Sequence, residues 1–194
     1  MNPNNSLIIH PNDPSTRFLK KLYSGHGSPI VITEKDNNKV IKEALTDKVL
    51  MDRPLMMLGH GCPQGLFAPR KDKNYQNGVD QFGRLIIASR HVDMIRKRET
   101  PCIGIWCYAV EFARKYNLHG LFSGMIISEV CEAQDCGMYE FSNVEMQMYN
   151  QEFAEALADC LNKYPLNEIP DAMAKYIANP NRLEKFNYNN LYYL

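Results

Sequence analysis

A histidine and a cysteine each follow a buried apolar run, and together they could perform nucleophilic chemistry. His60 follows the run Leu55 to Leu58, and Cys107 closes the run that begins at Cys102. Apolar runs without alternation are typical of strands covered on both faces, and reactive groups gather at the carboxyl ends of such strands. Neighbouring parallel strands lie about 4.8 Å apart, so side chains at their ends can reach one substrate bond. The sequence therefore predicts that His60 and Cys107 meet at one edge of a sheet.

A thiol and an imidazole in this arrangement predict acyl-transfer chemistry. Cysteine attacks as the thiolate, and imidazole supplies the proton that the leaving amine needs. Gly61 follows His60, and its amide is a candidate donor to the oxyanion formed on attack. Cys107 also precedes a helical segment, whose dipole is expected to lower the thiol pKa. The alternative interpretation is that His60 and Cys107 are structural residues at the ends of strands.

The elements that must position this pair alternate regularly up to about residue 130. Five short apolar runs are separated by segments with helical spacing, and strand–helix–strand repetition predicts right-handed crossovers and a parallel sheet. The runs are Leu7–Ile9, Pro29–Ile32, Leu55–Leu58, Cys102–Trp106 and Leu121–Ile127. The predicted fold class is α/β: a three-layer αβα sandwich with a mostly parallel sheet of about five strands in the flavodoxin-like order 2-1-3-4-5.

Further segments complete the predicted single domain over residues 1–194. Asp13 before Pro14 predicts an N-cap for a first helix, and Leu85, Ala88, Val92 and Ile95 are spaced as one face of a third helix. Residues 62–80 are rich in Gly, Pro, Asn and Lys, which predicts a long loop or hairpin. The part from 140 to 194 is predicted to be mainly helical, with an aromatic tail that docks on the body.

Composition and charge narrow the range of functions. The chain has 22 basic and 22 acidic residues. Its sequence contains no basic stripe, so we expect no nucleic-acid partner. No signal peptide or long apolar stretch is recognisable, so we expect no membrane association and a cytoplasmic location. The six cysteines form no C-x-x-C pair, so we expect no metal site. Without an export signal, we expect the thiols to be reduced. We expect no cofactor.

The two strand ends also resemble a known family. An apolar strand that ends in His-Gly (Leu55 to Gly61), then a helix, then an apolar strand that ends in Cys (Ile103 to Cys107) is similar to the caspase-like cysteine peptidases of clan CD, which include metacaspases, gingipains and CHAT domains. The resemblance extends over roughly residues 5–130. It implies a caspase-like fold and a His60–Cys107 dyad that cleaves a peptide bond in a peptide or protein substrate, with the Gly61 amide in the oxyanion hole.

The same resemblance implies a substrate pocket built from Asp13, Ile105, and Ser128 or Glu129. Asp13 and Glu129 together would favour a Lys or Arg side chain in the substrate. Asp13 has a competing role as a helix cap, and Ser128 has a competing role as the cap of the helix that follows it. The chain departs from the family at Ile105, where metacaspases carry an acidic residue, and in Ile-Trp-Cys-Tyr-Ala, where caspases have Gln-Ala-Cys-x-Gly.

Two other functions are compatible with these residues. The first is a non-catalytic caspase-like or flavodoxin-like module that binds a protein partner. The second is another cysteine-dependent hydrolase or amidase in which His91 or His119 replaces His60 as the base. His119 precedes the fifth predicted strand, and so it is expected at the sheet edge opposite to Cys107.

Overall fold

The apolar runs of the chain form one large sheet in the structure, a computed structural model that describes residues 6–24, 28–69 and 82–194. Its strands are β1 (Leu7–Ile9), β2 (Ile30–Ile32), β3 (Leu55–Leu58), β7 (Cys102–Ile105), β8 (Gly120–Ser123) and β9 (Leu191–Tyr193). They lie in the order β2-β1-β3-β7-β8-β9. The first five are parallel, whereas β9 runs antiparallel to β8. The predicted order 2-1-3-4-5 is therefore confirmed, with a sixth strand added at one edge.

The register of the two central strands decides where His60 and Cys107 lie. Leu58 of β3 pairs with Ile105 of β7, and each is the last residue of its strand. His60 and Cys107 therefore each come two residues after a matched pair of strand ends. This register brings the two residues to the same carboxyl edge of the sheet.

Helices cover both faces of the sheet. The α-helices are α1 (Asn38–Thr46), α2 (Lys48–Met51), α3 (Val92–Arg96), α4 (Ala109–Tyr116), α5 (Val130–Asp135), α6 (Asn143–Lys163), α7 (Ile169–Ala174) and α8 (Arg182–Tyr188). Alternate strand residues enter two separate cores, because successive side chains of a strand point to opposite faces. Leu7 and Ile9 join one core with residues of α1, α3 and α4, whereas Ile8 joins the other with residues of α6 and α7. The three-layer αβα arrangement is confirmed.

A small antiparallel sheet packs into the core that contains Leu7 and Ile9. It consists of β4 (Gly61–Cys62), β5 (Gly65–Pro69) and β6 (Phe82–Ile87) in that order. The hairpin predicted within residues 62–80 is present as β4 and β5, and residues 70–80 lie outside the described residues. The predicted third helix began too early, since Leu85 belongs to β6 and α3 begins at Val92. Leu85 pairs with Phe67 of β5, and this pairing outweighs the local helical spacing.

The C-terminal part is mainly helical, as predicted, and its last residues return to the large sheet. The 21-residue helix α6 packs along the sheet through Phe153, Leu157 and Cys160, all of which are buried. The aromatic tail docks as β9, in which Leu191 pairs with Ser123 of β8. Among the described residues, no helix is both long and apolar enough to cross a membrane.

Candidate active site

His60 and Cys107 line one small cavity at the carboxyl edge of the sheet. The cavity has a volume of about 10 Å³, close to the space of a single water molecule. Its lining residues are Thr16, Phe18, Leu19, Gly59, His60, Ile105, Trp106, Cys107, Ile126 and Ser128. The two side chains that the sequence singled out therefore border a common space, although they belong to different strand ends.

A tight turn between β7 and α4 carries Cys107. Tyr108, the next residue, has a left-handed backbone with φ of 66°, a conformation that costs a residue with a side chain of the order of 1 kcal/mol. Three hydrogen bonds with β8 and the residue after it hold the turn. The Ser123 hydroxyl accepts from the Trp106 amide at 3.0 Å and donates to the Trp106 carbonyl at 2.7 Å. The Tyr108 amide donates to the Gly124 carbonyl at 3.0 Å.

Trp106 connects this turn to the His60 side of the cavity. The indole is buried, and its Nε1 donates to the Cys62 carbonyl at 3.2 Å. A Cβ atom on Gly61 would lie 2.1 Å from Cδ1 of the same indole, so only glycine fits at this position. The segment after β3 and the segment after β7 are thus packed directly on each other through Trp106.

The Cys107 side chain is a neutral thiol in this environment. Its Sγ donates to the Ile126 carbonyl at 3.3 Å, and the side chain is partly buried. Burial, together with the negative charges of Glu132 and Glu129, raises the pKa of Cys107 to about 12. The expectation that the dipole of α4 would lower this pKa is wrong, because desolvation and two nearby carboxylates outweigh it.

His60 is held by a serine that the sequence analysis did not single out. Ser15 Oγ lies 2.6 Å from His60 Nε2 and donates to Asp13 Oδ1 at 2.6 Å. The Ser15 amide also donates to Asp13 Oδ1, at 2.9 Å. Asp13 Oδ1 itself lies 4.0 Å from His60 Nε2, so the hydroxyl stands between the carboxylate and the imidazole.

Asp13 is therefore not the helix cap that the sequence predicted. The helix that follows is a 3-10 helix over Arg17–Leu22, and its N-cap is Thr16. The Asp13 carboxylate instead accepts from the Ser15 amide and forms an Asx turn, in which an Asp side chain bonds the backbone two positions later. The Asp-Pro-Ser sequence is typical of such an Asx turn. The contact of Ser15 with His60 joins residues 45 positions apart, so no local sequence pattern predicts it.

The remaining predicted pocket residues divide between two cavities. Ile105 and Ser128 line the small cavity with the dyad, whereas Glu129 lies in a neighbouring groove that also includes Ser128. Asp13 is among the lining residues of neither cavity. Its Oδ1 atom accepts hydrogen bonds from the amide and the hydroxyl of Ser15. The acidic pocket expected from Asp13 and Glu129 together stays a prediction.

Ser128 differs from its predicted role as a helix cap. The first helical residue of α5 is Val130, and the N-cap is Glu129. The Ser128 hydroxyl donates to the Glu132 carboxylate at 3.2 Å, and the same oxygen accepts from the Ser128 amide at 2.7 Å. Glu132 thus folds back on the residues that precede α5 and places Ser128 at the border between the two cavities.

The neighbouring groove, which we call the α6 groove, has a volume of about 790 Å³. Its lining residues are Pro14, Ser15, Arg17, Phe18, Ser128, Glu129, Val130, Cys131, Asn143, Met146, Gln147, Asn150 and Gln151. Phe18 and Ser128 also line the dyad cavity, so the two spaces adjoin. Arg17 and Glu129 give the groove one charge of each sign.

The two other histidines considered as bases are engaged elsewhere. His91 is fully buried, its Nδ1 accepts from the Ala88 amide, and its Nε2 lies 2.7 Å from Asn38 Oδ1. His119 Nε2 lies 3.0 Å from the Tyr193 hydroxyl, and His119 directly precedes β8. Neither residue is among those that line the Cys107 cavity.

Gly61 belongs to β4, where it pairs with Leu66, and it is not among the residues that line the cavity. Thr16 does line it, and its buried hydroxyl has no hydrogen-bond partner among the described residues. Thr16 is thus, after Ser15, a second polar group near His60 and Cys107 that could not be recognised from the sequence.

No group of three or more His, Cys, Asp or Glu side chains in the described ranges could hold a metal ion. Comparison with models of known protein families and with curated proteins finds no match for this chain.

Proposed function

We propose that this protein is a cysteine-type hydrolase that cleaves a peptide bond with His60 and Cys107. The observation that carries the proposal is their placement after the paired ends of β3 and β7, where both line one cavity. An imidazole and a thiol that share a cavity are the minimum set for nucleophilic acyl transfer. The similarity of these two strand ends to caspase-like peptidases supports the same reaction.

The raised pKa of Cys107 determines how the thiol would be used. With a pKa of about 12 the resting sulfur keeps its proton near neutral pH. His60 therefore takes the proton as sulfur attacks the substrate carbonyl, rather than holding a resting ion pair. The C–S bond forms, the C–N bond breaks, and the amine leaves with the proton from His60. Water then hydrolyses the thioester and restores the thiol.

The surroundings of the cavity supply groups for the rest of this reaction. The Thr16 hydroxyl, which lines the cavity, is the candidate donor to the oxyanion. The Gly61 amide, expected in this role from the sequence, belongs to a residue of β4 outside the cavity lining. The α6 groove adjoins the dyad through Phe18 and Ser128, and its volume suits several residues of an extended peptide. Glu129 is the acidic group on the groove wall, opposed in charge by Arg17, so a preference for Lys or Arg would depend on Glu129 alone.

Cleavage of a peptide library tests the proposal. Wild-type protein, Cys107→Ala and His60→Ala are each incubated with tryptic and with Glu-C peptides of a bacterial lysate, and new termini are identified by mass spectrometry. We expect new termini with wild type and loss of at least about 100-fold in their rate of appearance with either variant. Cleavage that is absent, or that persists in Cys107→Ala, would contradict the proposal.

A second candidate function is a non-catalytic module that binds a protein partner. The small cavity and the thiol held on the Ile126 carbonyl favour it, because both are ordinary features of a packed interior. This function predicts that Cys107→Ala leaves partner binding unchanged and that wild-type protein produces no new peptide termini.

A further inference from the structure

The hydrogen bonds among His60, Ser15 and Asp13 indicate which ring nitrogen of His60 carries a hydrogen. Ser15 Oγ donates to Asp13 Oδ1 at 2.6 Å and lies 2.6 Å from His60 Nε2. The first distance is usual for a hydroxyl on a carboxylate, whereas the second is slightly short for an N–H···O bond. The Ser15 amide shares the same carboxylate oxygen, so the Asx turn fixes the hydroxyl as well as the backbone.

The number of available hydrogens determines which atom donates in the bond between Ser15 Oγ and His60 Nε2. A serine hydroxyl has a single hydrogen and can accept with its lone pairs, whereas a carboxylate can only accept. The hydrogen of Ser15 is directed to Asp13. The contact between Ser15 Oγ and His60 Nε2 is then a hydrogen bond only if Nε2 carries the hydrogen.

We propose that Asp13 and Ser15 are positioning residues that keep His60 protonated on Nε2 and thereby make Nδ1 the nitrogen that exchanges a proton with Cys107. The protonation of Nε2 follows from the hydrogen bonds alone. The exchange with Cys107 rests on the proposed hydrolase function.

The arrangement also suits the charged form of His60. When Nδ1 takes the thiol proton, Nε2 keeps its hydrogen, and its bond to Ser15 is unchanged. Asp13 Oδ1 lies 4.0 Å from Nε2, on the far side of the Ser15 hydroxyl.

Nitrogen-15 NMR of the histidine side chains tests the tautomer directly. The spectrum at pH 8 is recorded for the full chain, and His60→Gln identifies the His60 signals among those of the five histidines. We expect a protonated Nε2 and a non-protonated Nδ1 in wild type and in Ser15→Thr. In Ser15→Ala and Asp13→Asn we expect the His60 shifts to move toward a mixture of both tautomers. Ser24→Ala, which removes a hydroxyl bonded to the Lys20 carbonyl, is the matched control and leaves His60 unchanged.

A His60 that carries its hydrogen on Nδ1 in wild type would overturn the inference, as would identical His60 shifts in wild type and Ser15→Ala. Peptide cleavage gives the separate kinetic readout: Ser15→Ala lowers kcat by about tenfold with KM nearly constant, and Ser15→Thr restores it. A protonated Nε2 without any peptide cleavage would refute the hydrolase and leave the tautomer assignment standing. Peptide cleavage by a protein whose His60 carries its hydrogen on Nδ1 would refute the tautomer assignment and leave the hydrolase function standing.

Discussion

At the scale of single residues, the environment of Cys107 is that of a thiol rather than a thiolate. Burial and the charges of Glu132 and Glu129 all disfavour the anion. A cysteine that reacts in such a place depends on a base that removes the proton during attack. His60 borders the same cavity and is oriented by Ser15, so it fits this requirement.

The reactivity of Cys107 should therefore depend steeply on pH when the base is removed. In His60→Ala, a pKa of about 12 leaves a thiolate fraction on the order of 10⁻⁴ at pH 8, and this fraction rises about tenfold for each pH unit up to pH 11. Alkylation of Cys107 by iodoacetamide, followed by peptide mass spectrometry, should rise in the same way. The exposed Cys131 serves as the internal reference and should react faster at pH 8. A Cys107 rate that levels off below pH 10 would contradict this description of the thiol.

At the scale of elements, the turn from β7 into α4 determines where the thiol lies. The Ser123 side chain on β8 bonds both the amide and the carbonyl of Trp106, and it is completely buried. This clamp fixes the residue before Cys107, whereas the bond from Tyr108 to Gly124 fixes the residue after it. The position of Cys107 thus depends on the strand next to its own.

Removing the Ser123 hydroxyl should loosen this turn. Ser123→Ala leaves the buried amide of Trp106 without its partner, which is expected to lower the free energy of unfolding by about 1–3 kcal/mol. Chemical denaturation measures this loss, and Ser24→Ala on the surface should change stability by less than about 0.5 kcal/mol. Equal stabilities for the two variants would show that Ser123 does not hold the turn. We also expect Ser123→Ala to lower peptide cleavage, since Cys107 is displaced.

At the scale of the whole molecule, two buried histidines link stability to pH. Burial lowers the pKa of His10 to about 4 and that of His91 to about 4, with the nearby Lys20 and Arg90 adding to the respective effects. The unfolded chain binds these protons near pH 6.5, whereas the folded chain does not. Their contribution to stability is therefore complete above pH 6.5 and is lost as the pH falls from 6.5 to 4.

Denaturation at a series of pH values should show this loss. A pKa difference of about 2.5 units corresponds to about 3 kcal/mol for each histidine, an upper value for the change between pH 7 and pH 4. His91→Gln removes one of the two groups and should make the acid limb of the stability curve less steep. A wild-type stability that is flat between pH 6.5 and 4 would contradict the assignment.

The chain order of the large sheet could be predicted because each of its first five strands is a continuous apolar run between helical segments. The strands β6 and β9 were not predicted. Leu85 and Ala88 fit a helical period as well as a strand, and Leu191–Tyr193 becomes a strand only by pairing with β8. The positions of His60 and Cys107 at one edge of the sheet could be predicted, because both residues follow strands. Ser15, Thr16 and Ser123 could not, because their roles depend on contacts between distant segments.

The most direct test of the His60–Cys107 pair is the site of reaction of a substrate-like electrophile. Peptidyl acyloxymethyl ketones with Lys, Asp or Leu before the reactive group are incubated with the protein at pH 7.5, and the modified cysteine is located by mass spectrometry. We predict that at least one of them modifies Cys107 faster than the exposed Cys131 in wild type, and that His60→Ala reduces the Cys107 rate by about 100-fold or more. Modification of Cys131 in preference to Cys107, or a Cys107 rate that is unchanged in His60→Ala, would contradict the catalytic pair.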